Sequence, residues 1–96
     1  MRLTEFEIES IKETVLQLDP KAEIYLFGSR TNNSLAGGDI DLLVLSESLD
    51  FTHKIDMLVD IKDSIGDQKV DLLIKNKKQV ESEAFLQDIL PEAVRL

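Results

Sequence analysis

Residues 23–45, EIYLFGSRTNNSLAGGDIDLLVL, decide the fold. Glu23 to Phe27 is short and rich in strand-forming residues, and Gly28-Ser29 interrupts it, so we predict a first strand that ends at the glycine. Residues 30–38 contain asparagines, a serine and paired glycines, which favour a loop. Ile40 to Leu45 is again rich in strand formers and predicts a second strand.

Helical and extended patterns surround these two strands. A capping box at Thr4 and apolar residues at helical spacing predict a first helix that runs to about Leu18. Downstream, the patterns predict a second helix, a third strand and a third helix over Thr52–Ile65, Lys69–Ile74 and Val80–Leu90. The expected fold is therefore α/β (α+β), in the order α-β-β-α-β-α around a small three-stranded sheet.

The composition predicts one compact domain over residues 1–96. The chain is 43% hydrophobic, and its four glycines and two prolines are scattered, so no segment resembles a linker. It has no cysteine, which excludes disulfides, thiolate zinc sites and cysteine nucleophiles. The first residues lack the apolar centre of a secretory signal, and the longest aliphatic run is too short to cross a membrane. We expect a cytoplasmic protein that does not bind membranes.

The net charge of −8 limits the partners that the chain can bind. An acidic protein repels a polyanion unless its basic residues are clustered, and the eleven lysines and arginines are scattered along the sequence. We therefore expect no direct binding of duplex DNA. A nucleoside triphosphate can still bind if metal ions lie between it and the acidic side chains.

Three aspartates form the pattern that indicates chemistry. Side chains alternate along a strand, so Asp39 and Asp41 are predicted to share one face. Asp71 lies inside a predicted strand, where a buried charge is costly, and it lies beside Asp41 if the two strands are neighbours. Carboxylates this close repel one another, and a divalent cation would remove the conflict. Oxygen ligands favour magnesium or manganese over zinc.

Gly28-Ser29 adds a possible anion site. A glycine and a serine that follow a strand and open a short helix can present backbone N–H groups and a hydroxyl to a phosphate. Taken alone, a Gly-Ser turn is usually structural, and acids at the start of a strand are commonly only solvated. The combination with Asp71 is what favours a functional site.

These motifs resemble the polymerase-beta-like nucleotidyltransferases, and within them the minimal nucleotidyltransferases that are paired with HEPN-domain proteins. The resemblance rests on Leu26–Arg30, on Gly37–Leu42 and on Val70–Leu72, and it extends over nearly the whole chain. It implies the nucleotidyltransferase fold, a small mixed β-sheet flanked by helices.

The resemblance also implies roles for six residues. Asp39 and Asp41 would bridge two Mg²⁺ ions, or Mn²⁺ in their place, and Asp71 would hold the metal that activates the acceptor hydroxyl. Gly28, Ser29 and Arg30 would bind the triphosphate. Such a two-metal site stabilises both the attacking and the leaving oxygen of an in-line displacement.

The implied reaction is transfer of AMP from ATP to a hydroxyl of a protein acceptor. In the resembled pairs the acceptor is a HEPN-domain toxin encoded nearby, typically modified on tyrosine, and the nucleotidyltransferase acts as its antitoxin. Two alternatives remain open: a catalytically weak subunit that silences its partner by binding, and nucleotidylation of a small molecule such as an aminoglycoside by the paired complex.

Overall fold

The computed structural model describes residues 3–28 and 39–96. Its helices and strands follow one another as α1 (Glu5–Leu18), β1 (Glu23–Phe27), β2 (Ile40–Leu45), α2 (Phe51–Ile65), β3 (Val70–Lys75), α3 (Lys77–Ser82), α4 (Ala84–Ile89), a 3₁₀ turn (Leu90–Glu92) and β4 (Val94–Arg95). Within these described ranges, no helix is long and apolar enough to span a membrane.

The sheet is mixed and has the strand order β3-β2-β1-β4. β1 pairs antiparallel with β2 and β4, whereas β2 and β3 are parallel and are connected through α2. The predicted α/β fold is confirmed, and the second and third strands are neighbours, which meets the condition for Asp71 to lie beside Asp41. The predicted count of three strands is wrong, because the two residues of β4 add a short fourth strand beside Tyr25 and Leu26.

One face of the sheet packs against α1 and α2. Alternate residues of β1, β2 and β3 are buried on this face together with apolar residues of both helices, as the alternation of side chains along a strand requires. This core contains Ile11, Val15, Ala22, Ile24, Leu26, Ile40, Leu42, Val44, Leu49, Met57, Ile61, Val70 and Leu72.

Helix α1 forms as its sequence predicts. The Thr4 hydroxyl accepts a hydrogen bond from the Glu7 N–H at 3.1 Å, and the Glu7 carboxylate accepts one from the Thr4 N–H at 2.8 Å. This reciprocal pair satisfies N–H groups that have no partner inside the helix. Ile11 and Val15 then lie fully buried one turn apart, so the helix binds the sheet along a single stripe.

The opposite face of the sheet is covered only in part. Leu43 of β2 points to this face and is fully buried, as is Leu86 of α4. The sequence predicts one helix over Val80–Leu90, and this prediction is wrong. The chain instead forms α3 and α4, which meet at Glu83, whose backbone is extended and caps both helices. The break allows α4 to turn back over the sheet.

Candidate active site

Asp41 and Asp71 are paired in the parallel ladder between β2 and β3. Both strands begin at this end of the sheet, and paired residues in adjacent strands project to the same face, so the two carboxylates are neighbours. Asp71 is exposed, which corrects the expectation that it is a buried charge. The reason is that β3 is an edge strand, and the described residues form no further strand beyond it to cover Asp71.

The environment of Asp41 favours its protonated form. Partial burial has the largest effect and raises the pKa of the Asp41 carboxyl above its ordinary value, and the negative charges of Asp71 and Asp39 raise it further. A hydrogen bond with Asp71 acts in the same direction, and Lys69 opposes the shift. Among the described residues, the acids therefore concentrate negative charge that Lys69 offsets only in part.

Asp39 directly precedes β2 and is held by a lysine that the sequence reasoning missed. Its Oδ2 atom lies 3.4 Å from Nζ of Lys69, which directly precedes β3. The two side chains are 41% and 70% exposed, so the pair contributes little to stability. Lys69 nevertheless counters the charge of both Asp39 and Asp41, and its position next to Val70 and Asp71 was the only signal in the sequence.

Gly28 follows β1 and lies against Asp41. Its φ angle is +76°, a conformation that glycine adopts without strain, and a Cβ atom there would collide with the Asp41 carboxylate, 3.3 Å from its Cγ. The glycine thus permits the close approach of the two segments. Ser29 and Arg30, the other predicted triphosphate ligands, lie outside the described residues, and their roles stay predictions.

The donor chemistry of these acids suits a hard divalent cation. Carboxylate oxygens are the ligands that magnesium takes in proteins, and a cation would relieve the repulsion at Asp41. Within residues 3–28 and 39–96, however, no group of three acids or histidines is arranged to hold an ion. Asp39 is drawn toward Lys69, so its carboxylate would have to turn away from the ammonium group to join the other two.

Comparison with known proteins places the chain in a family. The model of the family described as "Nucleotidyltransferase domain" matches residues 8–94, nearly the full length. The chain belongs to the nucleotidyltransferase domain family. Its described structure agrees with that fold, and the membership supports a transferase of nucleoside monophosphates that uses an NTP. The sequence has no significant match among curated proteins.

Two aromatic rings border the acids of this nucleotidyltransferase domain. Phe27 is paired with Asp41 across the antiparallel ladder of β1 and β2, so Phe27, Asp41 and Asp71 form one row across the sheet. The Phe85 ring of α4 meets the Phe27 ring edge to face, with 6.5 Å between centroids and 82° between planes. The sequence reasoning assigned no role to either residue, because their proximity depends on how α4 folds back.

A polar network lies at the end of the sheet opposite the acids. Asp19, which follows α1, accepts a hydrogen bond of 2.5 Å from the Ser46 hydroxyl, and Ser46 Oγ accepts one of 2.9 Å from the Leu49 N–H. The Ser46 bond, together with the Lys21 N–H, lowers the pKa of the buried Asp19 carboxyl. These bonds connect the segment after α1 to the segment after β2.

A cavity of about 570 Å³ lies beside this network. Asp19, Leu45 and Ser46 line it on one side and Lys77 and Val80 on the other. Because Leu45 is at the end of β2 and Asp41 is near its start, the cavity is at the opposite end of the sheet from the acids. It is therefore separate from the acids at the start of β2 and β3.

Proposed function

We propose that this protein is a Mg²⁺-dependent nucleotidyltransferase that transfers AMP from ATP to a hydroxyl group of a protein. The pairing of Asp41 with Asp71, with Gly28 packed against the same carboxylate, is the observation that carries the proposal. Membership of the nucleotidyltransferase domain family supports it. A reaction that consumes ATP fits the cytoplasmic location expected from the sequence.

Asp39, Asp41 and Asp71 are the residues proposed to hold the metal. When bound, Mg²⁺ would neutralise the triphosphate and lower the pKa of the acceptor hydroxyl. Asp41 is partly buried in the middle of the row and fixes the centre of the site. Lys69 holds Asp39 through an exposed ion pair, which a stronger cation can displace at small cost.

The two sides of Asp41 suggest separate places for the two substrates. Asp71 lies on the β3 side and is open to solvent, so an acceptor hydroxyl can approach it there. Gly28 lies on the β1 side, so we assign the triphosphate to that side, together with Ser29 and Arg30. The α-phosphorus would then lie between the two, next to Asp41, as an in-line displacement requires.

We propose a HEPN-domain toxin as the acceptor and an antitoxin role for this chain. Support for a protein partner comes from α2, where Phe51, Ile55 and Val59 recur every fourth residue and are 73%, 60% and 52% exposed. Residues at this spacing form one stripe along a helix. An exposed apolar stripe of this kind is typical of protein interaction surfaces.

A second candidate function is inhibition of the partner by binding alone. The same α2 stripe supports it, and so does the arrangement of the described acids, which are not preset around one ion. Nucleotidylation of a small molecule by the paired complex is a further alternative. It predicts that the label moves to the small molecule and not to the protein.

Radiolabelled ATP tests these alternatives directly. The chain is incubated with Mg²⁺, ATP labelled on the α-phosphate, the HEPN-domain protein encoded next to it, and an aminoglycoside. We expect label on the partner, and a variant of that partner without the acceptor tyrosine should remain unlabelled. Inhibition of the partner without any label transfer would support the binding function. Label on the aminoglycoside would support the third alternative.

A further inference from the structure

The row formed by Phe27, Asp41 and Asp71 places an aromatic side chain on one side of the central acid and a second acid on the other. Adjacent strands are about 4.8 Å apart, so each neighbour is one strand away from Asp41. Phe85 extends the aromatic side, because its ring packs against that of Phe27. Phe85 therefore lies next to Phe27 on the face of the sheet that carries Asp41.

Phe85 is held in place but remains open to solvent. Its neighbour Leu86 is fully buried, and Lys75 Nζ contacts both carboxylate oxygens of Glu83, at 3.0 and 3.3 Å, which fixes the start of α4. The Phe85 ring itself is 53% exposed. Leu86 and the Lys75–Glu83 pair thus fix the helix while one surface of this ring stays uncovered.

The surroundings of Phe85 fit a small planar ligand better than a protein surface. Its neighbours along the chain Ser82, Gln87 and Asp88 are exposed and polar, so they add no apolar area beside the ring. Helix α2 differs, because its three exposed apolar side chains form a stripe along one side of the helix. An exposed aromatic ring that is held in position next to the proposed site for phosphate chemistry suits a nucleobase, which stacks on such rings.

We propose that Phe85, supported by Phe27, is the stacking surface for the base of the nucleoside triphosphate. This inference rests on the proposed function, since it takes the triphosphate to lie beside Gly28 and Asp41. The base then extends along the β1 side toward α4, and the acceptor is left with the Asp71 side. Stacking on a ring tolerates any base, so ATP and GTP should bind with similar affinity.

Binding of ATP and of inorganic tripolyphosphate to the full chain tests this subsite. Both ligands are titrated with Mg²⁺ by calorimetry against the wild type, Phe85→Ala and Phe85→Leu. Loss of one base stack should weaken ATP binding by about 5- to 100-fold and leave tripolyphosphate binding unchanged. Phe85→Leu keeps an apolar side chain on α4, so the result does not depend on whether the alanine variant folds. Phe6→Leu changes another exposed phenylalanine and should alter neither affinity.

The results that would overturn the stacking role differ from the result that would overturn the proposed function. Unchanged ATP affinity in both Phe85 variants, or an equal loss for ATP and tripolyphosphate, would overturn the stacking role. An increase in the KM of the acceptor alone would assign the ring to the acceptor and also overturn it. If the wild type binds neither ligand, the proposed function itself fails.

A fluorescent variant gives an independent measurement. The chain contains no tryptophan, so Phe85→Trp introduces a single indole at the proposed subsite. ATP should quench its fluorescence by stacking, and tripolyphosphate should not. Equal quenching by both ligands would contradict the proposal.

Discussion

Asp41 and Asp71 are direct partners in the parallel ladder of β2 and β3, a position in which two like charges destabilise a sheet. No core packing explains the arrangement, because Asp71 is exposed. Such a local cost is common where function requires a repulsive site, which agrees with the role proposed for these acids.

Replacing Asp41 should therefore stabilise the protein while it removes activity. Without divalent cations, Asp41→Asn should raise the free energy of unfolding at pH 7 by about 0.2–1 kcal/mol, the size of one cross-strand pair. Transfer of AMP should fall by about 10²- to 10³-fold. Thermal unfolding and the labelled-ATP assay measure the two effects. Asp60→Asn, which removes an exposed acid on α2, is the matched control and should leave transfer intact.

The stabilisation expected from Asp41→Asn should depend on pH, because the pKa of the Asp41 carboxyl is raised. The folded protein holds the Asp41 proton to a higher pH than the unfolded chain, so the carboxyl's contribution to stability decreases as pH rises from about 4 toward the folded pKa. The advantage of Asp41→Asn should be absent below about pH 4 and complete once Asp41 is ionised. A difference in stability that does not change with pH would contradict this explanation.

Asp19 should show the opposite pH dependence, because hydrogen bonds from Ser46 and Lys21 lower its pKa. Its contribution is complete above the ordinary carboxyl pKa and is lost as pH falls through the lower, folded value. Asp19→Asn should cost about 1.5–3 kcal/mol at pH 7, and the cost should shrink below about pH 4. Urea unfolding at a series of pH values measures this, and a cost that persists in acid would rule out the charged hydrogen bonds as its source.

Gly28 and Gly66 form a matched pair for testing close packing at the site. Both have positive φ angles, but a Cβ on Gly66 meets nothing within 4 Å, whereas one on Gly28 meets the Asp41 carboxylate. Gly66→Ala should cost only the backbone strain, about 1–3 kcal/mol. Gly28→Ala should cost more and should also reduce transfer. Combining it with Asp41→Ala should recover part of the lost stability, and additive effects in this double-mutant cycle would argue against the contact.

Lys69 should compete with the metal for Asp39. Lys69→Met removes the ammonium group 3.4 Å from Asp39 and increases the negative charge of the site, so half-maximal transfer should require less Mg²⁺. Stability should change by about 1 kcal/mol or less, because the ion pair is exposed. Lys12→Met, on α1, removes the same charge from a different element and should not alter the Mg²⁺ requirement. An increased requirement in the Lys69 variant would show that the lysine assists metal binding.

Binding of the HEPN partner should depend on the exposed stripe of α2. Ile55→Glu places a charge in the middle of this stripe and should weaken complex formation, with no effect on ATP binding. Ser64→Glu adds the same charge to an exposed position on another side of the helix and serves as the control. Size-exclusion chromatography of the mixed proteins measures the outcome, and a stable complex with Ile55→Glu would place the interface elsewhere.

Local signals in the sequence were sufficient to predict most of the helices and strands. Helix α1 has the predicted end at Leu18, because the Thr4 capping box and the apolar stripe act within the helix itself. The third helix was predicted as one element because its apolar spacing continues across Glu83, where the chain in fact breaks. β4 has only two residues and depends on pairing with β1, so no local pattern could reveal it.

For the site, the sequence indicated the acids but not their surroundings. The adjacency of Asp41 and Asp71 follows from the parallel pairing of the second and third strands, which the expected topology allowed. The exposure of Asp71, the ion pair between Lys69 and Asp39 and the contact between Phe27 and Phe85 depend on tertiary packing. None of them has a periodic signature in the chain.

The route of the chain between β2 and β3 has a consequence for biosynthesis. Asp71 reaches Asp41 only after α2 has crossed from one strand to the next, and a parallel crossover must close a long loop before its contacts form. A ribosome-bound chain that ends before β3 can contain Asp39 and Asp41, but it lacks Asp71. The proposed capture of a metal ion through all three aspartates is therefore deferred until β3 has been synthesised, so a chain without β3 should not be catalytically competent.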